Sequence, residues 1–278
     1  VRIAVAGLGL IGGSLARELT RLGHHVTGTD VQPDSIRAAL DAGAIAAVAD
    51  DRAFRDADVV ILAIPVDGTA AWLRELAPAL EQCRLIMDTG SVKAAPVAAA
   101  AAAGLADRFI GAHPMAGNHG AGFGASRTGL FAGARTYLCA GPGVRSECMP
   151  LAEELWRSVG SEPERIDAAE HDALLAFTSH MPQFAATALA LVLERYGTTP
   201  AQLGPGGRDM MRLAGSDPAI WRAIALHNRR ALGKAIDALQ AELAGLRAAI
   251  EAGDSNALVA RLATARDWWR RDAAPLPQ

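Results

Sequence analysis

The 278-residue chain is poor in cysteine, carries no excess charge of one sign and has no bilayer-length apolar run. Its three cysteines, Cys83, Cys139 and Cys148, show no metal-ligand or redox spacing, and their odd number argues against a disulfide framework. Charge is balanced, 27 basic against 30 acidic residues for a net −3, so no field draws the chain to nucleic acid or to an anionic membrane. Apolar stretches such as Val59-Val60-Ile61-Leu62-Ala63 have strand length, far short of a membrane span. The first residues already read as a core strand, so no signal peptide is expected. These absences point to a reduced, cytoplasmic setting. The length suits two domains and allows a substantial core.

What is present starts at once. The strand Ile3-Ala4-Val5-Ala6 runs straight into Gly7-Leu8-Gly9-Leu10-Ile11-Gly12-Gly13-Ser14, the glycine pattern of a dinucleotide-binding turn. The first glycine permits the tight strand-to-helix turn, the second lets backbone approach a pyrophosphate, and the third allows close helix–strand packing. The N–H groups of Gly9, Leu10, Ile11 and Gly12 then open a helix, where the dipole favours an anion. A second strand, His25 to Thr29, ends at Asp30, an acceptor for a ribose 2′-hydroxyl roughly 20 residues beyond the glycines. Val31 and Gln32 offer no positive charge for a 2′-phosphate, and Arg37 reaches only from the next helix. NAD is expected over NADP; the plainer reading makes Asp30 a turn residue.

Up to about residue 166 short apolar strands alternate with helical stretches, with further strands near 58–63, 84–88, 108–111, 135–139 and 163–166. This pattern predicts an α/β fold, a Rossmann-type and mostly parallel sheet covered on both faces. From 167 the pattern becomes helical only, so a nucleotide-binding domain over 1–166 and an all-helical domain over 167–278 are expected. The helical runs are 168–196, bent at Pro182, then 218–252 and 256–271, with Ser216-Asp217-Pro218 as a helix start. Leu232, Ile236, Leu239, Leu243 and Leu246 make an apolar stripe that either fills an intramolecular core or forms a homodimer interface.

Ligands of open parallel sheets collect at the carboxyl ends of the strands. Ala63-Ile64-Pro65 stands there as backbone lining the cofactor's far end. Ser91, in Asp88-Thr89-Gly90-Ser91-Val92-Lys93, either caps the following helix or presents a hydroxyl to substrate, and the two are compatible. His113 falls just past a strand end and ahead of Pro114. An isolated histidine is commonly structural, but this one has the position and the chemistry to accept a hydroxyl proton. The glycine-rich stretch 118–133 reads as a lid or as an ordinary surface excursion.

Taken together, the glycine turn at 7–14, Asp-Thr-Gly-Ser-Val-Lys at 88–93 and His-Pro-Met-Ala-Gly at 113–117 make the chain resemble the prephenate/arogenate dehydrogenase family. Thr178-Ser179-His180-Met181-Pro182, and Gly207-Arg208-Asp209 leading through Arg212-Leu213-Ala214 to Ser216-Asp217-Pro218, extend the likeness over nearly the whole sequence. The resemblance implies nicotinamide-dependent oxidative decarboxylation of a cyclohexadiene bearing a ring hydroxyl, a ring carboxylate and a three-carbon side chain. It makes His113 the acceptor of the hydroxyl proton and Ser91 its helper. Arg212 becomes the partner of a substrate carboxylate, which a guanidinium fork matches, and Arg208 a weaker candidate for the same task. His180 is either a substrate neighbour or a packing residue.

The chain departs from the family at Gln183, where many prephenate-using members carry histidine. The neutral amide puts strict prephenate specificity in doubt and leaves arogenate, or both, open. The short stretch after Trp268-Trp269 leaves no expectation of a fused mutase or regulatory domain. Two competing readings are a β-hydroxyacid dehydrogenase, disfavoured because 171–196 contains no lysine, and a non-catalytic NAD-sensing protein of the same fold.

Overall fold

The computed structural model describes residues 1–117 and 120–271; Asn118 and His119, at the start of the expected lid, and the tail 272–278 lie outside the described residues. The chain forms two compact units, Val1–Arg229 and Arg230–Gln278.

In the first unit, β1 (Arg2–Ala6), α1 (Leu10–Arg21), β2 (His25–Thr29), α2 (Pro33–Asp41), β3 (Ala47–Val48), α3 (Asp51–Asp56) and β4 (Val59–Leu62) alternate. They are followed by α4 (Val66–Leu76), β5 (Leu85–Asp88), α5 (Ala94–Ala102), β6 (Phe109–Pro114), β7 (Arg135–Ala140), α6 (Cys148–Ser158) and β8 (Glu162–Arg165). Among the described residues the sheet has eight strands in the order β3-β2-β1-β4-β5-β6-β7-β8. Every pairing is parallel except β6–β7. The order reverses between β1 and β4, and the glycine turn leaves β1 at that switch point.

Both faces are covered because neighbouring strand residues point to opposite sides. Ile3, Val5, Val59, Ile61, Leu85 and Met87 pack with Leu15, Leu19 and Trp156 in one core. Ala4, Ala6, Val60, Leu62 and Ile86 pack with Phe54 and Leu73 in the other.

The helical part begins with α7 (Ala168–Leu175), α8 (Met181–Arg195), α9 (Pro205–Met211) and α10 (Pro218–His227). Between α7 and α8 lies a π-helical turn, Ala176–His180, and Pro182 is the second residue of α8. The predicted bend is therefore a widened turn, which absorbs the proline's missing N–H and carries His180. The run Ala168–Arg195 is long and apolar enough to cross a membrane by length and composition alone, which the sequence reading did not foresee. Only 28% of its apolar window is buried, but His171, Asp172, His180 and Gln183 are buried and hydrogen-bonded within the protein.

The helix expected over 218–252 breaks at Asn228, giving α10 and α11 (Arg229–Glu251). Asn228 is buried, and its side chain is turned inward to hydrogen-bond other helices. Asp217 caps α10 at the Ala219 N–H with Pro218 in the first turn, as its sequence indicated.

The described part of the expected lid is anchored. Phe123 and Leu130 are buried, the Arg127 N–H donates to Ser14 Oγ at 3.0 Å, and the Gly129 N–H donates to Glu18. A Cβ on Gly13 would meet Phe123 at 2.8 Å, so the fourth glycine of the turn admits this segment onto α1.

The second unit is a helical hairpin of the rest of α11 with α12 (Ser255–Arg270), tied by Arg261 Nη1 to Glu242 Oε2 at 2.7 Å. None of the residues of α12 is buried.

Candidate active site

The cofactor end is built from backbone. Gly7 sits at φ +90°, and a Cβ there would lie 2.2 Å from the Ala63 carbonyl oxygen. A Cβ on Gly12 would lie 1.9 Å from the Gly7 oxygen and 2.8 Å from Ala63 Cβ, whereas one on Gly9 would meet nothing within 4 Å. The turn and the Ala63-Ile64 backbone are thus in close contact, and an open space faces Gly9. Helix α1 has no side-chain cap and no acidic residue in its first turn, leaving its N-terminal N–H groups and dipole to an external anion. Pro65 caps α4 and is exposed.

Asp30, at the end of β2, accepts from the Leu8 N–H at 2.6 Å and the Gln32 N–H at 2.8 Å. These bonds fix its carboxylate beside the turn. Arg37 is paired with Asp34 on the exposed side of α2. The residues present fit a dinucleotide with unphosphorylated ribose.

At the end of β5, two strands from β1, Lys93 Nζ donates to Asp88 Oδ1 and Oδ2, at 2.7 and 2.6 Å, and to the Ala112 carbonyl at 2.6 Å. All three ammonium hydrogens are used inside the protein, and Lys93 is fully buried. Burial pushes the Asp88 carboxyl above its ordinary value, and the lysine charge opposes that. The ion pair thereby ties the end of β5 to the residue before His113.

His113 lies within β6, opposite Tyr137 of β7, and not past the strand end as its sequence suggested. The strand continues through Pro114 because its antiparallel partner supplies the pairing. Burial, then the nearby charges of His171, Lys93 and His180, hold the His113 imidazole well below its ordinary pKa, so it is neutral at physiological pH. Its Nδ1 is 2.9 Å from His171 Nε2, and His171 Nδ1 is 2.9 Å from Asp172 Oδ1.

Asp172 also accepts from the N–H groups of Lys93 at 2.7 Å and Ala94 at 3.0 Å. It is therefore the N-terminal cap of α5, supplied from α7. Ser91 does not cap that helix; it is half-buried two residues ahead, and it makes no hydrogen bond among the described residues.

Asn228 Nδ2 donates to the Asp172 carbonyl at 2.7 Å and to His180 Nδ1 at 3.1 Å. The His180 proton must then sit on Nε2, which is buried without a partner among the described residues. Burial lowers the His180 pKa to about 4. Over this edge α10 closes with Ala223 and Ile224 against Val66 and Val92, and His227 bonds Asp67 at 2.9 Å.

Arg212 opens a single helical turn, Arg212–Gly215, and is exposed, as is Arg208 on α9. Gln183 is buried, and its amide faces that turn rather than open space: Nε2 donates to the Leu213 carbonyl at 2.8 Å, and Oε1 accepts from Ser216 Oγ at 3.4 Å.

The structure thus joins His113 to His180 through His171, Asp172 and Asn228, and joins Gln183 to the turn that carries Arg212. Lys93, His171, Asp172 and Asn228 escaped the sequence reading. Lys93 had one available signal, being one of only two lysines among 27 basic residues and lying where a strand gives way to a helix.

Residues 15–164 match the nucleotide-binding domain of prephenate dehydrogenase, and residues 167–264 match its dimerization domain. This chain belongs to the prephenate dehydrogenase family. Prephenate dehydrogenase of Bacillus subtilis (strain 168) is 34% identical to it, over 99% of this chain and 76% of that protein. The structure of prephenate dehydrogenase from A. aeolicus in complex with hydroxyphenyl propionate and NAD+ superposes with a TM-score of 0.88 at 30% identity, covering 95% of each chain. Synechocystis arogenate dehydrogenase gives 0.83 at 26% identity, covering 97% of this chain and all of the other. Membership of the prephenate dehydrogenase family displaces the β-hydroxyacid dehydrogenase reading.

Proposed function

We propose that this chain oxidatively decarboxylates prephenate, arogenate or both with NAD, giving 4-hydroxyphenylpyruvate or tyrosine, carbon dioxide and reduced cofactor. In this reading residues 1–166 hold the cofactor, and residues 167–278 complete the substrate site and form a homodimer.

Gly7, Gly9, Leu10, Ile11 and Gly12 cradle the pyrophosphate, Asp30 takes the ribose hydroxyls, and Ala63, Ile64 and Pro65 line the far end. The Asp30 carboxylate disfavours a 2′-phosphate by like-charge repulsion, which supports NAD over NADP. NAD, when bound, supplies the acceptor for the hydride leaving the hydroxyl-bearing ring carbon.

His113 accepts the hydroxyl proton as that carbon is oxidised. It returns the proton to the same oxygen once the ring carboxylate has left and the ring is aromatic, so no proton is consumed overall. A neutral imidazole is required for the first half of that cycle. Ser91 supports the hydroxyl, and Arg212, assisted by Arg208, pairs with a substrate carboxylate. His180 offers its Nε2–H to a substrate oxygen. Gln183 acts on substrate through the turn of Arg212. It places no cation there to select a keto acid over an amino acid.

The observation that carries this reading is a buried, neutral His113 on the same sheet edge as the glycine turn. Incubation with NAD and either prephenate or arogenate, side by side, tests it through NADH formation. Activity on neither substrate overturns it. The His113→Asn variant is expected to lose about 10²–10⁴-fold in kcat, and one keeping more than about a tenth of the activity removes the general base.

The dimer is supported by the apolar surface of the helical hairpin, where Leu243, Ile250, Val259, Leu262, Trp268 and Trp269 are all exposed. Three free, buried cysteines suit a reduced, cytoplasmic setting.

A further inference from the structure

We propose that His171 and Asp172 are positioning residues that fix the tautomer of His113, leaving its Nε2 as the proton-accepting atom. The inference rests on His113 acting as the base, and it follows from counting protons along one chain of hydrogen bonds.

Asp172 Oδ1 faces His171 Nδ1 at 2.9 Å and the Lys93 N–H at 2.7 Å, while Oδ2 takes the Ala94 N–H at 3.0 Å. An ionised carboxylate only accepts. Burial alone would raise the Asp172 carboxyl, but the bonds from His171, Lys93 and Ala94 hold it below the ordinary carboxylate range. The proton between His171 and Asp172 therefore belongs to His171 Nδ1. In a neutral imidazole the other nitrogen is then an acceptor. His171 Nε2 stands 2.9 Å from His113 Nδ1, so His113 Nδ1 carries the proton of that contact. The lone pair of His113 is left on Nε2.

The arrangement is held from every side. Asn228 Nδ2 fixes the Asp172 backbone at 2.7 Å, α5 cannot release the carboxylate without losing its cap, and Tyr137 packs edge-on against His171 with centroids 5.5 Å apart. When His113 takes a proton it becomes a cation at a site that burial makes hostile to charge. The Asp172 carboxylate, two bonds along, offsets that charge through His171. The logic is that of a base oriented by a second group.

Histidine ring nitrogen NMR on 15N-labelled protein, without substrate, reads the tautomer directly, with His113→Asn and His171→Gln spectra giving the assignment. The expected result is a protonated Nδ1 and an unprotonated Nε2 on His113; the reverse overturns the proposal. In kinetics, Asp172→Asn removes the negative charge that offsets protonated His113, sets an amide donor against the Lys93 or Ala94 N–H, and is expected to lower kcat by about 10³-fold or more with the KM for NAD little changed. His171→Leu is expected to do the same. His171→Gln, whose amide can accept from His113 and donate to Asp172, is expected to recover at least tenfold over His171→Leu. If His171→Leu and Asp172→Asn match wild type in kcat while His113→Asn is inactive, the relay is wrong and the base stands. If His113→Asn is active while the spectra give the expected tautomer, the base reading falls and the proton order stands.

Discussion

The Lys93 ammonium lies 2.6 and 2.7 Å from the two carboxylate oxygens of Asp88, and both side chains are shut off from solvent. Removing one member leaves the other as an uncompensated buried group, a loss of about 3–5 kcal/mol. Lys93→Met is thus expected to lower the urea midpoint strongly, and Lys93→Met with Asp88→Leu to cost less than the two single changes added. Equal stability of Lys93→Met and wild type would contradict the pair's structural importance.

The glycines of the turn separate binding from folding. Gly9→Ala places its methyl group in open space, so its Tm should match wild type while NAD affinity falls by about tenfold or more, consistent with a lost charge-assisted contact. Gly12→Ala collides with the Gly7 backbone and should lower the Tm as well. A Gly9→Ala protein with unchanged NAD affinity, by calorimetric titration, would remove the pyrophosphate from that space.

Acid should destabilise the fold through His180. Its folded pKa is about 4 against an ordinary 6.5. Between those values the unfolded chain binds a proton that the folded chain refuses, so stability falls as pH drops through the window and levels off below it; above it the residue contributes nothing. His113 acts in the same direction. Urea unfolding at about pH 7 and about pH 4.5 should differ by roughly 2–3 kcal/mol from His180 alone. His180→Gln should flatten that slope, and an unchanged slope would place the acid sensitivity elsewhere.

Gln183→Ala removes the bond to the Leu213 carbonyl and loosens the turn beginning at Arg212. The expected outcome is a KM for substrate raised roughly fivefold to tenfold, in line with one lost buried hydrogen bond, with the KM for NAD unchanged. Equal rises in both KM values would mean a general loss of fold.

Charge on the outer face of α12 should split the assembly. Leu262→Glu is expected to give a monomer by size exclusion with light scattering where the parent chain gives a dimer, since a carboxylate in an apolar interface lacks a partner. A monomeric parent chain would end the dimer proposal.

The parts legible in the sequence were those whose signal is local. The glycine turn, Asp30 and the alternation of strands and helices sit in contiguous stretches, and the structure keeps them where periodicity put them. Asp172 could not be read this way, because it caps a helix that starts 78 residues earlier in the chain. Asn228 looked like an ordinary helical position and proved to be a break, because its amide is drawn to Asp172 and His180. What Gln183 replaces is visible in the sequence, but what it touches is not, since Leu213 lies 30 residues further along the chain. Contacts across the fold carry no period.

The reversal of direction between β6 and β7 has a consequence for how such a protein can change over generations. A parallel crossover must traverse a face of the sheet, so altering its length disturbs packing. The link from Met115 to Ala134 leaves and returns at one rim, joined at its base where the Met115 N–H meets the Arg135 carbonyl at 2.8 Å. A change of length in that link need not shift the register of any strand. Variation in length is tolerated there without refolding the sheet beneath it.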